Sequence, residues 1–393
     1  MTSQIQGKYF GTGSPLFRLY LKTAILTILT LGIYRFWAKT RIRKYIWSAT
    51  SGDGDSFEYS GTGLEKFLGF LVAIVILAIY LGLFQLLLAF IGISIIPENE
   101  SEAAIAAQAV AINLSILAVL PLILFAQYRA RRYKMARSRW RGIRFGMEKG
   151  AWGYAFRALG YIFLTIITLG LLNPLATFRL EKYMADRSWY GDARFEQMGR
   201  WQDLYAGMKH VFIGLGIIVV GVILGIATEG VWIAAAAGII GYIWLLIGLI
   251  YYRVYAFNYL TQNKVLDGEV QFDARLETGA VIGIFLVGTI VIGVLMAVVF
   301  GIIGLIVASM SGAIMAGTLS PVLFVGLAIP YALAFLIAGG LSLVMITQPM
   351  IKHAVENMTV LNADHLDTIR QRAADTGADA EGFADALDVG GAI

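Results

Sequence analysis

LTILTLGIYRFWAKTRIRKYIW, residues 26–47, is the stretch that decides how this 393-residue chain is read. Its first half is apolar, its second half basic and aromatic, and a turn-rich SGDGDS at 51–56 leads on to FEYSG at 57–61. The chain then writes the pattern again. At an offset of 138 residues LTIITLGLL occupies 164–172, and Ala38, Arg41, Lys44, Tyr45, Phe57, Glu58 and Gly61 recur as Ala176, Arg179, Lys182, Tyr183, Phe195, Glu196 and Gly199. Identities at one offset without a gap predict an internal repeat, which must be recognised before single elements are assigned.

Around this stretch the composition is that of a membrane protein. Hydrophobic residues make up 58% of the chain and charged residues 15%, against about 45–50% and about 25% in soluble domains. A bilayer core about 30 Å thick needs roughly 20 apolar residues in a helix. Three apolar hairpins meet that length, 67–96 with 106–128, 208–228 with 231–252, and 279–308 with 320–349. The predicted class is an all-α polytopic membrane protein with six transmembrane helices. The chain has no cysteine, which excludes disulfides, thiolate chemistry and cysteine metal sites. The first twelve residues lack the regions of a signal peptide, so the first apolar segment is expected to be retained.

Between the hairpins a module recurs: a helix end, a polar or Gly-Asp turn, a short strand, a glycine, and a helix going back. Tyr45, Tyr133 and Tyr183 each precede a strand phenylalanine, Phe57, Phe145 and Phe195, by twelve residues, and Tyr259 precedes Phe272 by thirteen. A fifth, degenerate copy is expected from Lys352 to Leu366. Alternating aromatic and polar residues closed by glycine support the strands, and Gly-Asp pairs supply the turns.

Topology follows from charge. Residues 129–150 hold nine basic residues and one acidic residue, whereas the connections at 97–103, 227–230 and 309–321 hold no Lys or Arg. Positive charge gathers on the cytoplasmic side, so the modules are expected inside, with the N-terminus, and the connections outside. The two repeated segments are the open question. Thr23–Tyr34 has only twelve uncharged residues, and Gly160, Gly170 and Asn173-Pro174 interrupt 158–178. Runs this short re-enter or lie at the interface more often than they span. Both readings stand, with the re-entrant one uniting all modules on one side. The expected organisation is a strand-like segment 1–15, a first repeat 16–150 with hairpin 67–128, a second repeat 151–278 with hairpin 208–252, a C-terminal hairpin 279–350, and a degenerate module with a flexible acidic tail, 351–393.

TLGIYRFWAKTRIRKYIW followed by FEYSGTG resembles the bacterial YjgN family, also described as DUF898, most specifically over residues 8–66. The resemblance implies a bacterial inner-membrane protein and carries no functional residues with it. The second copy departs from the first, NPLATFRLEKY replacing YRFWAKTRIRKY.

No catalytic constellation is visible, so the expectation is a protein that is not an enzyme and uses no cofactor. His353 and His365, twelve apart near Asp364 and Asp367, are too widely spaced for a metal site. GTG at 11–13 and 61–63 lacks the Lys-Ser/Thr of a phosphate loop and is read as a bend between strand and helix. Glu229 is read as a cap on an outer turn. Two functional readings remain. In the first, a membrane scaffold binds anionic lipid headgroups, a protein partner or a second copy of itself, and not nucleic acid, through Arg129, Arg131, Arg132, Lys134, Arg137, Arg139 and Arg141 with Arg41, Arg43 and Lys44. In the second, a transporter or channel for an unidentified solute carries its pathway between the repeated segments, at Thr27, Thr30, Gly32, Thr165, Thr168 and Gly170.

Overall fold

Long uncharged runs become long helices. The computed structural model describes residues 3–96, 101–309 and 321–372. Its helices are α1 Gly13–Leu29, α2 Arg35–Ala49, α3 Gly63–Phe90, α4 Glu102–Ala136, α5 Ala151–Ile167, α6 Asn173–Ala185, α7 Lys209–Ala227, α8 Val231–Gln262, α9 Thr278–Ser309, α10 Pro321–Ser342 and α11 Gln348–Glu356. Six helical stretches among the described residues are long and apolar enough to cross a bilayer: α3, α4, α7 with the preceding turn from Trp201, α8, α9, and Ile329–Glu356. These are the predicted hairpins. The connections at 97–100 and 310–320 lie outside the described residues.

The two repeated segments each fold as a helical hairpin, α1 with α2 and α5 with α6. Leu31 and Gly32 turn the first and Leu169 and Gly170 the second, all four with positive φ. Gly32 N–H donates to Thr27 O and Gly170 N–H to Thr165 O, each at 2.7 Å, closing a helix end with a left-handed residue. Both outer ends of each hairpin lie at the sheet. Tyr9 pairs with Thr50 across α1–α2, and Met147 with Ser188 across α5–α6.

The short strands, expected at the modules of an otherwise all-α protein, make a single sheet. They are β1 Gln4–Tyr9, β2 Thr50–Gly52, β3 Asp55–Ser56, β4 Glu58–Tyr59, β5 Ser138–Trp140, β6 Ile143–Met147, β7 Ser188–Tyr190, β8 Ala193–Gln197, β9 Lys264–Leu266, β10 Val270–Ala274 and β11 Met358–Leu361. Their order is β3-β2-β1-β11-β10-β9-β8-β7-β6-β5-β4. Strands β3 and β4, at its two ends, are separated in the chain by Phe57 alone, so the sheet returns to its starting segment as a ring. Such closure removes the exposed edges that short strands would otherwise carry.

Alternation then sorts the side chains. Ile5, Phe57, Trp140, Phe145, Tyr190, Phe195, Leu266, Phe272 and Val360 meet inside the ring, while Gln6, Arg194, Glu196 and Gln271 face outward. Phe145 lies 4.7 Å from Tyr190 and Phe57 5.7 Å from Trp140, between ring centroids. The helices join the ring at one end and the strand-to-strand turns lie at the other. Burial pushes the Tyr190 hydroxyl up to about 12, and it donates to Trp140 O at 2.9 Å.

The turn end is closed by the segment expected to hang loose. Residues 363–372 are ordered against the ring, because Leu366 and Ile369 pack onto Ile5, Trp140, Tyr190 and Leu266. Polar ties hold the segment to successive turns. Asp367 meets Arg141 at 3.2 Å, and Arg141 in turn meets Asp53 at 2.6 Å. His365 lies 3.1 Å from Asp267, and Arg370 and Asp192 exchange two hydrogen bonds of 2.9 Å. The rest of the expected acidic tail, 373–393, lies outside the described residues.

The recurring tyrosines have a common task at the helix end. Each stands five residues before a strand and reaches the neighbouring strand-to-helix junction. Tyr45 bonds Thr12 N–H and O at 2.9 Å, Tyr133 donates to Glu65 at 2.9 Å, and Tyr183 donates to Gly150 O at 3.0 Å. Tyr259 accepts from Arg200 N–H at 2.8 Å and donates to Asp203 at 2.6 Å. At the corresponding place before β11 stands His353, whose Nε2 accepts from Glu277 N–H at 3.2 Å. Tyr259→Phe is expected to lower stability by about 1–2 kcal/mol, read as a fall in the thermal midpoint of the detergent-solubilised protein; an unchanged midpoint would show that the clamp contributes nothing.

Candidate functional site

The basic run that composition presents as one patch is divided by the fold. Arg131 and Arg132 are adjacent on α4 and face different partners. Arg131 makes a bidentate pair with Glu181 of α6, at 2.7 and 2.9 Å, and Lys264 of β9 reaches the same carboxylate at 2.9 Å. Burial would raise the Glu181 carboxyl, but Arg131 and Lys264 outweigh it and hold the group well below the usual carboxylate range. Arg132 is buried and donates to Met147 O at 2.9 Å. Arg137 turns back to Glu65 at 3.2 Å. Arg141, at the turn of β5 and β6, holds Asp53, Asp55 and Asp367. Arg139 sits in β5 between Glu58 and Arg144 of the adjoining strands.

On α2 the pattern is similar. Arg43 is buried, donating to the Tyr59 hydroxyl at 3.1 Å and lying 5.2 Å from the centre of its ring. Arg41 and Lys44 are exposed, Arg41 over the Tyr34 ring at 5.5 Å. Lys134 lines an apolar chamber beneath the ring.

One part of the run does open onto space. A cleft of 510 Å³ lies between the end of α4 and the start of α5, lined by Phe125, Tyr128, Arg129, Arg132, Lys149 and the first residues of α5. Three cations and the positive end of a helix dipole share it. Trp152 and Phe125, 4.7 Å apart between ring centres, form its apolar side, and Trp152 is half exposed. Amphipathic rings of this kind suit the headgroup level of a bilayer. Lys149 and Trp152 were not picked out from the sequence; the available signal was a basic residue and a tryptophan flanking the Gly150 bend.

The proposed pathway residues are placed differently. The Thr27 and Thr30 hydroxyls donate to Thr23 O and Leu26 O, both at 2.8 Å, and those of Thr165 and Thr168 donate to Tyr161 O and Leu164 O at 2.8 and 2.7 Å. A Cβ added at Gly32 or Gly170 would meet nothing within 4 Å. At the hairpin tips Leu31 is 95% and Leu169 90% exposed. These residues therefore lie at or just before two apolar tips.

Among the described residues no group of three or more His, Asp or Glu is placed to hold a metal ion. The chain is 26% identical over 151 residues to the inner membrane protein YjgN of Escherichia coli O157:H7, a match spanning 38% of this chain and 33% of that protein. It is 32% identical over 77 residues to the protein of the same name from Salmonella typhimurium strain LT2, spanning 20% of each. The chain thus covers at most about a third of the length of these curated relatives. No solved structure matches. The description "Bacterial protein of unknown function (DUF898)" matches residues 4–386, nearly the whole of the chain, which therefore belongs to the DUF898 family.

Proposed function

We propose that this is a non-catalytic inner-membrane protein that holds anionic lipid headgroups at its cytoplasmic surface, with the ring and the N-terminus on that side and the α1–α2 and α5–α6 tips dipping into the bilayer. The observation that carries the reading is the cleft at Arg129, Arg132 and Lys149, where cations meet a helix N-terminus and an aromatic side at the base of a membrane helix. Basic residues next to a membrane helix favour the cytoplasmic leaflet, and each one near an anionic surface contributes about 1 kcal/mol. The exposed apolar tips would be costly in water and are at home in lipid.

The structure also selects which cations to test. Arg131 and Arg137 serve the fold, so neutralising them would confound binding with stability. The double variant Arg129→Gln, Lys149→Gln keeps Arg132 in place. In nanodiscs containing phosphatidylglycerol and phosphatidylcholine, it is expected to lose about 2 kcal/mol of preference for the anionic lipid, roughly thirtyfold, read by native mass spectrometry of the retained lipid. Retention equal to that of the parent protein would end the reading.

A further inference from the structure

The interior of the strand ring is not filled. A cavity of 180 Å³ lies among Ile5, Phe57, Phe145, Phe195, Phe272 and Val360. Apolar cavities of about this size stay dry and accept apolar guests. Leu366 closes its turn end. At the helix end a larger chamber of 530 Å³ is walled by Ile46 and Trp47 of α2, Lys134 and Met135 of α4, and Ile351 of α11. Thr50, Phe57 and Phe145 line both spaces, so the chamber adjoins the ring interior.

Chemistry narrows what this space can hold. Its size falls within the range of about 300–1,000 Å³ typical of small-molecule sites, but its polar groups are already engaged. Trp47 Nε1 donates to Ser138 Oγ at 2.9 Å, Ser138 Oγ to Lys134 O at 2.8 Å, and Thr50 Oγ1 to Ile46 O at 2.9 Å. A polar ligand would lose its hydration here without replacement. The turn end is tied shut by residues 363–372, so entry is from the helix end, where the six apolar helices join the ring. Among the described residues, the chamber wall carries the polar side chains of Trp47, Thr50, Lys134 and Ser138, and the charge of Lys134 is complementary to an anionic headgroup.

We propose that the chamber and the ring interior take one hydrocarbon chain of a membrane lipid, inserted end first from the bilayer side with its polar head remaining near Lys134. The site is separate from the α4–α5 cleft, and neither depends on the other. Its position makes the ring a receptacle for a chain withdrawn from the bilayer, not merely a brace for the helices.

Photolabelling of the full chain in nanodiscs tests this. Two probes are used, a long-chain fatty acid with a diazirine at its ω end and a phosphatidylglycerol bearing the same chain. Labels on Phe57, Met135, Phe145 or Ile351 are the expected result, and the probe that places them identifies a free acid or a phospholipid as the source. Met135→Trp, which narrows the chamber beside Phe57 and Phe145, is expected to reduce these labels about tenfold, while Leu86→Trp on the exposed face of α3 leaves them unchanged. Ile351→Trp serves as a second chamber-filling variant should Met135→Trp fail to fold. Labels confined to outer helix faces, or equal labelling in a folded chamber-filled variant, would overturn the proposal.

Discussion

Glu181→Ala is expected to cost about 3–5 kcal/mol, because it leaves Arg131 charged and largely buried with no carboxylate to face. The parent side chains are 31% and 18% exposed, and Lys264 adds a second cation to the same group. The interaction joins α4, α6 and β9, so its loss is felt by a long apolar helix, a helical hairpin and the ring together. Thermal unfolding in detergent at neutral pH measures it; a loss below about 1 kcal/mol, the level of an exposed pair, would contradict the buried geometry. The pair also predicts a pH dependence. With the folded carboxyl held below its ordinary value of 4.5, the unfolded chain binds the proton more readily, so stability from this group is complete above about 4.5 and is lost as pH falls towards the folded value. Glu181→Gln should lack that portion of the acid-induced loss.

The second large effect is expected where α7 meets α8. Gly214, Gly221 and Gly225 of α7 face Gly241, Ala237 and Ala234 of α8, and the backbones approach so closely that a Cβ at Gly241 would stand 2.9 Å from Gly214 O and 3.1 Å from Ile218 N. Small residues permit this packing in lipid, where association depends on close contact and not on excluding water. Gly241→Leu is expected to destabilise the protein by about 2 kcal/mol or more: a leucine gains about 1 kcal/mol of helix propensity, but the opposing backbone cannot yield to it. Gly238→Leu, whose Cβ would meet nothing within 4 Å, should be neutral or slightly stabilising by the same measurement. Equal behaviour of the two variants would show that the close approach carries no weight.

The helices were readable because their signal is local, an uninterrupted apolar run long enough for a bilayer. The strands announced themselves as Phe57, Phe145, Phe195 and Phe272 at regular distances from tyrosines, but runs of two to six residues do not reveal their partners. That Gln4 pairs with Leu361 and that Phe57 joins the two ends of the sheet are long-range facts with no local trace. The fold divides the basic run. Helical and strand periodicity sends Arg131 to Glu181, Arg132 to a backbone carbonyl and Arg141 to three aspartates, leaving a smaller cleft than the sequence suggested. Thr27, Thr30, Thr165 and Thr168 drew the pathway reading as polar groups in apolar segments, and each donates to a carbonyl of its own helix, as threonines in helices readily do. The acidic composition after Ala363 concealed Leu366 and Ile369, two apolar residues sufficient to anchor residues 363–372.

The pairing of β1 with β11 has a consequence in time. Synthesis delivers Gln4–Tyr9 before Met358–Leu361, so the six apolar helices among the described residues have been made before β11 can take its place. Until then β1 and β10 each present an unpaired edge, open to wrong partners. The ring can therefore be completed only after those helices have been made. A chain with one helix misplaced would arrive with its last strand on the wrong side of the membrane and its first strand still waiting.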